Sequence, residues 1–246
     1  MLNLAKFKDW ILQIALALII FFGFLRPYVV EAFRIPTPSM EESLLVGDHL
    51  LVLKVEEGQR IPWTDRLKPL LHCFRGDSLG LLMPATGVAE AGEVLVFVYP
   101  GDKSKDFIKR VVAVAGDTVK VMDDTLYVNG RPSPGWATCF QDPFYTNPLD
   151  YSWPECLNDR VISRIPELDL VQLSQGIVTD LSGDLAYVVP DGHVFMMGDN
   201  RDHSNDSRVW GPLDLDLVKG EALVTYWSWA SGRGLPKFDR IARLIR

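Results

Sequence analysis

Asp106-Phe107-Ile108-Lys109-Arg110-Val111-Val112, followed by Ala115-Gly116-Asp117, is the stretch on which the reading of this chain turns. Its apolar residues are mostly β-branched or aromatic and the run closes in turn chemistry, which predicts a strand over Phe107–Ala113. Side chains alternate across a strand, so Lys109 and Arg110 are directed to opposite faces. Unless the strand lies on an edge, one of the two cations meets packed surface. A buried lysine loses its hydration, which disfavours the charged form and lowers the pKa. A neutral lysine near pH 7 can act as a general base, a role closed to arginine, whose pKa is too high. Taken singly, a snorkelling surface lysine is the commoner case.

The same grammar repeats outward from this strand. β-runs occur at His49–Val55, Glu93–Tyr99, Thr118–Met122, Leu126–Val128, Leu185–Val189, His193–Met197 and Ala222–Ser228. Asn129-Gly130 predicts a hairpin, because both residues tolerate positive φ. Beyond the N-terminus no amphipathic helix of ordinary length is visible, apart from one last turn near Asp239–Ile245. The fold class is mainly β, with an antiparallel sheet. Residues 56–91 and 133–183 lack clean periodicity and read as insertions on the β core.

The run Trp10–Leu25 (WILQIALALIIFFGFL) carries no charge. It is a little short of the roughly 20 residues that cross a bilayer, but Arg26 can snorkel and Val29 and Val30 extend the apolar span. Residues 1–30 therefore read as a cytoplasmic tip and one N-terminal transmembrane helix, and residues 31–246 as an extracytoplasmic domain. A cleaved signal peptide, with Val30 and Ala32 as its small residues, and a buried core helix are the alternatives. Lys6 and Lys8 against Arg26 and Arg34 give only a weak positive-inside bias.

Composition narrows the function. The chain has 246 residues, 48% hydrophobic and 23% charged, which suits one membrane segment and one globular domain. A net charge of -7 argues against nucleic-acid binding. The 3 Cys and 4 His show no metal-ligand spacing, and no phosphate-binding glycine loop is present, so neither metal nor cofactor is expected. Cys139 and Cys156 read equally as a disulfide in an oxidising compartment or as free thiols.

Two further clusters carry chemistry. Ile35-Pro36-Thr37-Pro38-Ser39-Met40 precedes a β-run; alone, a serine beside proline is usually a turn residue. Met197-Gly198-Asp199-Asn200-Arg201-Asp202-His203-Ser204-Asn205-Asp206-Ser207-Arg208 is too dense in hydrogen-bonding groups for a plain turn. As a calcium loop counted from Asp202 it fails, with Ser207 in the glycine position and Leu213 in that of the bidentate glutamate.

IPTPSM, GEVLVFVYP, DFIKRVVAVAGD and GDNRDHSNDSRVWG, in this order behind an apolar segment, together resemble the type I signal peptidase family. The resemblance implies an antiparallel, β-barrel-like catalytic domain with irregular insertions. It implies a membrane-bound serine endopeptidase that removes signal peptides from exported preproteins after small residues at −1 and −3. Its partners would be those signal peptides and the lipid bilayer, and its place the bacterial cytoplasmic (inner) membrane, single-pass, with the catalytic domain on the periplasmic side. By resemblance Ser39 is the nucleophile and Lys109 the general base. The Ser39 N–H and the Thr37 hydroxyl form the oxyanion hole, Ser204 holds the lysine, and Asp206 and Arg208 form a supporting ion pair. Phe33, Ile35, Pro36, Met40, Leu44, Phe107 and Ile108 are implied in the substrate pockets, with the substrate extended along Phe107–Lys109.

Several residues depart from the family pattern. Pro38 replaces a small residue, Glu41-Glu42-Ser43 stand where x-Pro-Thr is usual, Glu93 replaces Asp, and His203 replaces Asn. A Ser39–His203–Asp triad is the mechanistic rival, and it leaves Lys109 unexplained. The functional rivals are a self-cleaving Ser-Lys regulator and an inactive membrane-tethered β domain. Tyr226–Trp229 reads as either an interfacial belt or a core strand. Arg240, Arg243 and Arg246 read as a solvated helical face or a contact to anionic lipid.

Overall fold

The computed structural model describes residues 4–20, 23, 30–54, 89–123, 125–133, 152–154, 175–180, 183–229 and 235–245. The three cysteines and nearly all of the two expected insertions lie outside these residues. Helix α1 (Leu4–Ile20) opens the chain and exposes Trp10, Leu12 and Ile19. Among the described residues no helix is long and apolar enough to cross a membrane.

The rest is antiparallel β-structure. The strands are β1 (Val30–Arg34), β2 (Asp48–Lys54), β3 (Val94–Val98), β4 (Asp106–Val114), β5 (Thr118–Met122), β6 (Thr125–Val128), β7 (Arg131–Pro132), β8 (Ser152–Trp153), β9 (Ile177–Thr179), β10 (Leu185–Val188), β11 (His193–Met197), β12 (Leu213–Asp214), β13 (Val218–Ser228) and β14 (Arg243–Leu244). One sheet runs β1-β2-β13-β3-β4-β11-β12, with β14 added to β13. The other runs β7-β6-β5-β10-β9, with β8 added to β5. Ala115-Gly116-Asp117 carries the chain from one sheet to the other, with Gly116 at φ 85 and the Asp117 carboxylate accepting the Val114 N–H at 2.9 Å.

The expected barrel-like closure is corrected to two open sheets among the described residues. β1 ends the larger sheet on one side and the two-residue β12 on the other, and no pairing joins them. A strand that short has too few backbone groups to close a barrel.

Alternation along β3 divides the interior. Leu95 and Phe97 face a core shared with Val111, Val119, Val121, Leu126, Trp153 and Phe195 from both sheets. Val94 and Val96 face a smaller core with Ile35, Met40, Leu44, Leu50, Val52 and Ile108. β4 lies between β3 and β11, which pairs only its second half, and its two faces meet the two cores, Val111 and Ala113 in the larger and Ile108 in the smaller.

The expected strands form within a residue or two, except that β13 starts at Val218, four residues earlier than read. Asn129 and Gly130 make the hairpin turn with φ 53 and 71. β1 was not expected, because its five residues adjoin the apolar run; it pairs in register with β2, from Val30↔Leu53 to Arg34↔His49. The expected last helical turn is also corrected. Phe238–Arg240 is a 3-10 turn, Ala242 takes φ 59, and β14 then pairs with β13 through Val224↔Leu244.

Candidate active site

Ser39 sits in a 3-10 turn, Pro38–Met40, that follows β1. Pro38 fixes the first position of the turn, and the residue before a proline is driven out of the helical region. Thr37 accordingly adopts φ -125 and ψ 153. This extended geometry leaves Thr37 Oγ1 3.4 Å from Ser39 Oγ. Met40 anchors the turn in the smaller core, and Leu44 N–H returns to the Met40 carbonyl at 2.8 Å.

Lys109 reaches the same point from β4. Its Nζ lies 2.7 Å from Ser39 Oγ and 3.1 Å from the Ile108 carbonyl oxygen. The two groups are 70 residues apart in sequence, and both are buried, at 7% and 3% exposure. Burial pushes the Lys109 amine down to about 8, against the pull of the Asp206 and Asp199 carboxylates. The ammonium and the amine are therefore both accessible near neutral pH. Phe107, two residues earlier on the same face, places its ring 5.3 Å from Nζ.

The polar loop after β11 closes over this pair. The Asn200 N–H donates to the Ser39 carbonyl and its side-chain amide to the Pro38 carbonyl, each at 3.2 Å. Gly198 lies where a Cβ would collide with the Ser39 carbonyl oxygen and the Ser204 side chain, so only glycine allows this approach. Asp206 caps the short helix α2 (Ser207–Trp210) and takes Arg208 Nε at 2.9 Å and Nη2 at 3.0 Å in a fork. Burial pushes the Asp206 carboxyl up to about 6, opposed by the Gly198 N–H, Ser204 and the Lys109 charge.

Ser204 is buried beside this group, but its hydroxyl makes no hydrogen bond of good geometry. It lies close enough to Asp206 to help hold that carboxylate ionised. The contact expected between Ser204 and Lys109 is not formed. His203 is exposed, and Ser39 Oγ meets Lys109 and Thr37 rather than an imidazole.

The residues read as one set of substrate pockets divide between the cores. Ile35, Met40, Leu44 and Ile108 are buried in the smaller core, with Phe33 packed against it. Phe107 faces the larger core and stacks on Tyr99 at 4.3 Å. Pro36 is exposed beside the turn that carries Ser39.

Sequence reasoning missed one buried pair at the site. Arg110 is fully buried, and its Nε and Nη2 hold Asp199 at 2.8 and 2.7 Å. Its Nη1 donates to the Gly92 carbonyl at 2.6 Å and its Nη2 to Ser43 Oγ at 3.1 Å. Alternation had demanded packed surface for only one of the two cations. Because β4 is central, both are covered, and nothing in the sequence singled out Asp199 from its acidic neighbours as the partner.

A family model described as "Signal peptidase, peptidase S26" matches residues 7–227. The chain belongs to this signal peptidase family. Its activity is that of a type I signal peptidase, a serine endopeptidase. A signal peptidase I of Pseudomonas aeruginosa is 34% identical over 239 residues, covering 88% of this chain and 72% of that protein. One of Aquifex aeolicus is 29% identical over 237 residues, covering 83% of this chain and 78% of the other. A crystal structure of a signal peptidase I from Enterococcus faecalis V583 has 25% identity, 54% coverage of this chain, 95% of that chain and a TM-score of 0.36.

Proposed function

We propose that this signal peptidase works through a Ser39–Lys109 dyad. The observation that carries the reading is the 2.7 Å approach of Lys109 Nζ to Ser39 Oγ inside a desolvated site. A serine hydroxyl is a weak nucleophile until a base takes its proton. Neutral Lys109 accepts that proton as Oγ attacks the scissile carbonyl carbon. The resulting ammonium then protonates the leaving amine, and an acyl-enzyme remains on Ser39. A water molecule, deprotonated by the same amine, hydrolyses the ester and frees the signal peptide. The oxyanion is held by the Ser39 N–H, for which no acceptor is found among the described residues, and by the Thr37 hydroxyl beside it. Ser204, Asp206 and Arg208 shape the pocket around the amine rather than touch the reacting atoms.

Strand pairing supports an extended substrate along Phe107–Lys109. β11 pairs with β4 only from Met197↔Arg110 to Val194↔Val114, so the β4 edge facing β11 is open at residues 106–109 among the described residues. A signal peptide can add there as a strand through backbone hydrogen bonds. The filled core of Ile35, Met40, Leu44 and Ile108 next to Ser39 favours small side chains at −1 and −3. The bilayer would hold helix α1, whose apolar side chains from Trp10 to Ile20 are exposed. Its charge-free part, Trp10–Ile20, spans about 16 Å at 1.5 Å per residue, roughly half of the ~30 Å hydrocarbon core. The catalytic domain would then face the periplasm, where signal peptides of exported preproteins emerge.

Cleavage of a preprotein with an A-x-A site by the full chain in detergent tests the dyad. Ser39→Ala and Lys109→Ala are each expected to lower kcat by on the order of 10⁴-fold or more. Full activity in Lys109→Ala, with loss in His203→Ala, would reject the dyad in favour of the triad.

A further inference from the structure

Asp48 is fully buried at the start of β2, and its carboxylate gathers four donors. The Leu45 N–H donates at 2.9 Å and the Ser228 hydroxyl at 2.5 Å. Arg240 supplies Nε at 3.2 Å and Nη2 at 2.6 Å. Burial alone would raise the Asp48 pKa, but the bonds from Arg240, Ser228 and Leu45 outweigh it and hold the carboxyl below its ordinary range.

Arg240 does more than pair with Asp48. Its Nη2 also donates to the Ser43 carbonyl at 2.9 Å, within the segment that continues the nucleophile turn. The hydroxyl of that same Ser43 takes Arg110 Nη2 at 3.1 Å. Ser43 is therefore gripped on two sides, by a guanidinium from the base-bearing strand and by one from the C-terminal segment. The C-terminal segment is itself tied down. Lys237 N–H bonds the Ser228 carbonyl at 2.9 Å, β14 pairs with β13, and Ile245 packs against the core that holds Met40 and Leu44.

We propose that Arg240 is a positioning residue for the nucleophile: with Asp48 it clamps the Ser43 carbonyl and so fixes the Pro38–Leu44 turn against β4. This rests on Ser39 being the nucleophile. Arg240 touches neither substrate nor reacting atoms; it acts by setting where Ser39 Oγ lies relative to Lys109. Misplacing a reacting group by about 1 Å can cost on the order of 100-fold in rate. A planar fork can hold a carboxylate and a carbonyl together, whereas lysine offers a single point charge.

The test compares full-length Arg240→Lys, Arg240→Ala and Arg243→Ala, the last an exposed neighbour, in detergent with an A-x-A preprotein. Each is measured for kcat, KM, pH profile and thermal unfolding. Arg240→Lys is expected to keep the Asp48 pairing and a near-wild-type unfolding temperature, yet to lose about 10- to 100-fold in kcat. KM and the midpoint of the pH profile are expected to stay close to wild type, because Arg240 lies off the β4 edge where the substrate adds, and the burial and the Asp206 and Asp199 charges that set the Lys109 pKa stay in place. Arg240→Ala is expected to lose as much kcat and some stability as well, and Arg243→Ala to match wild type. Wild-type kcat in Arg240→Lys overturns the proposal. So does a loss in Arg240→Ala that vanishes when activity is counted per folded molecule. Retained activity in Ser39→Ala would instead reject the dyad, which separates the two failures.

Discussion

Lys109 and Arg110 are neighbours on β4, equally removed from water, and the protein surrounds them in opposite ways. Arg110 meets Asp199 in a two-bond fork, with the Gly92 carbonyl and Ser43 taking further N–H groups. Its charge is permanent and fully matched. Lys109 is given a hydroxyl and one backbone carbonyl, and its nearest carboxylates act only at a distance. Burial therefore outweighs the distant carboxylates at Lys109, whereas Arg110 has direct partners. A buried cation with a carboxylate against it keeps its charge, and one without such a partner is pushed toward the neutral form.

That contrast is most easily broken from the Arg110 side. Removing one partner of a buried ion pair costs about 3–5 kcal/mol, because the other charge is left uncompensated. Asp199→Asn is expected to lose that much in chemical denaturation; a loss below about 1 kcal/mol would mean that Arg110 is not held by this fork. In whatever fraction folds, the Lys109 titration is expected to move to lower pH, since Asp199 raises that pKa.

A smaller effect of opposite sign is expected on the Lys109 side. An unfolded chain keeps the lysine proton up to its ordinary 10.5, the folded one only up to about 8. Wild-type stability therefore rises with pH between these values, and the handicap is complete below about pH 8. It is worth roughly 3 kcal/mol. Lys109→Met is expected to be more stable than wild type at pH 7, with the gain disappearing by about pH 10.5. A destabilised Lys109→Met at pH 7 would mean that the amine is matched after all.

Local chemistry was legible in the sequence where it depends on local pattern. β4, β5 and β11 were readable from β-branched runs, and the Asn129-Gly130 hairpin from its turn residues. Pro38 foretold the extended Thr37 because that constraint acts between adjacent residues. Relations across the sheet were not legible. Asp48 and Arg240 are 192 positions apart, and Arg110 and Asp199 are 89 apart. Both pairs depend on strand order and register, which periodicity does not encode. The C-terminal arginines looked alike in sequence, yet Arg240 turns inward because β14 joins β13 and carries it over Asp48, whereas Arg243 stays exposed.

The central claim, that buried Lys109 takes the Ser39 proton as a neutral amine, is tested most directly by the pH dependence of kcat/KM for preprotein cleavage. The rate is expected to rise about tenfold per pH unit on the acid side and to level off near pH 8, where the Lys109 amine becomes neutral. His203→Ala is expected to leave that curve unchanged. A profile that levels off near pH 6.5, and that collapses in His203→Ala, would contradict the account.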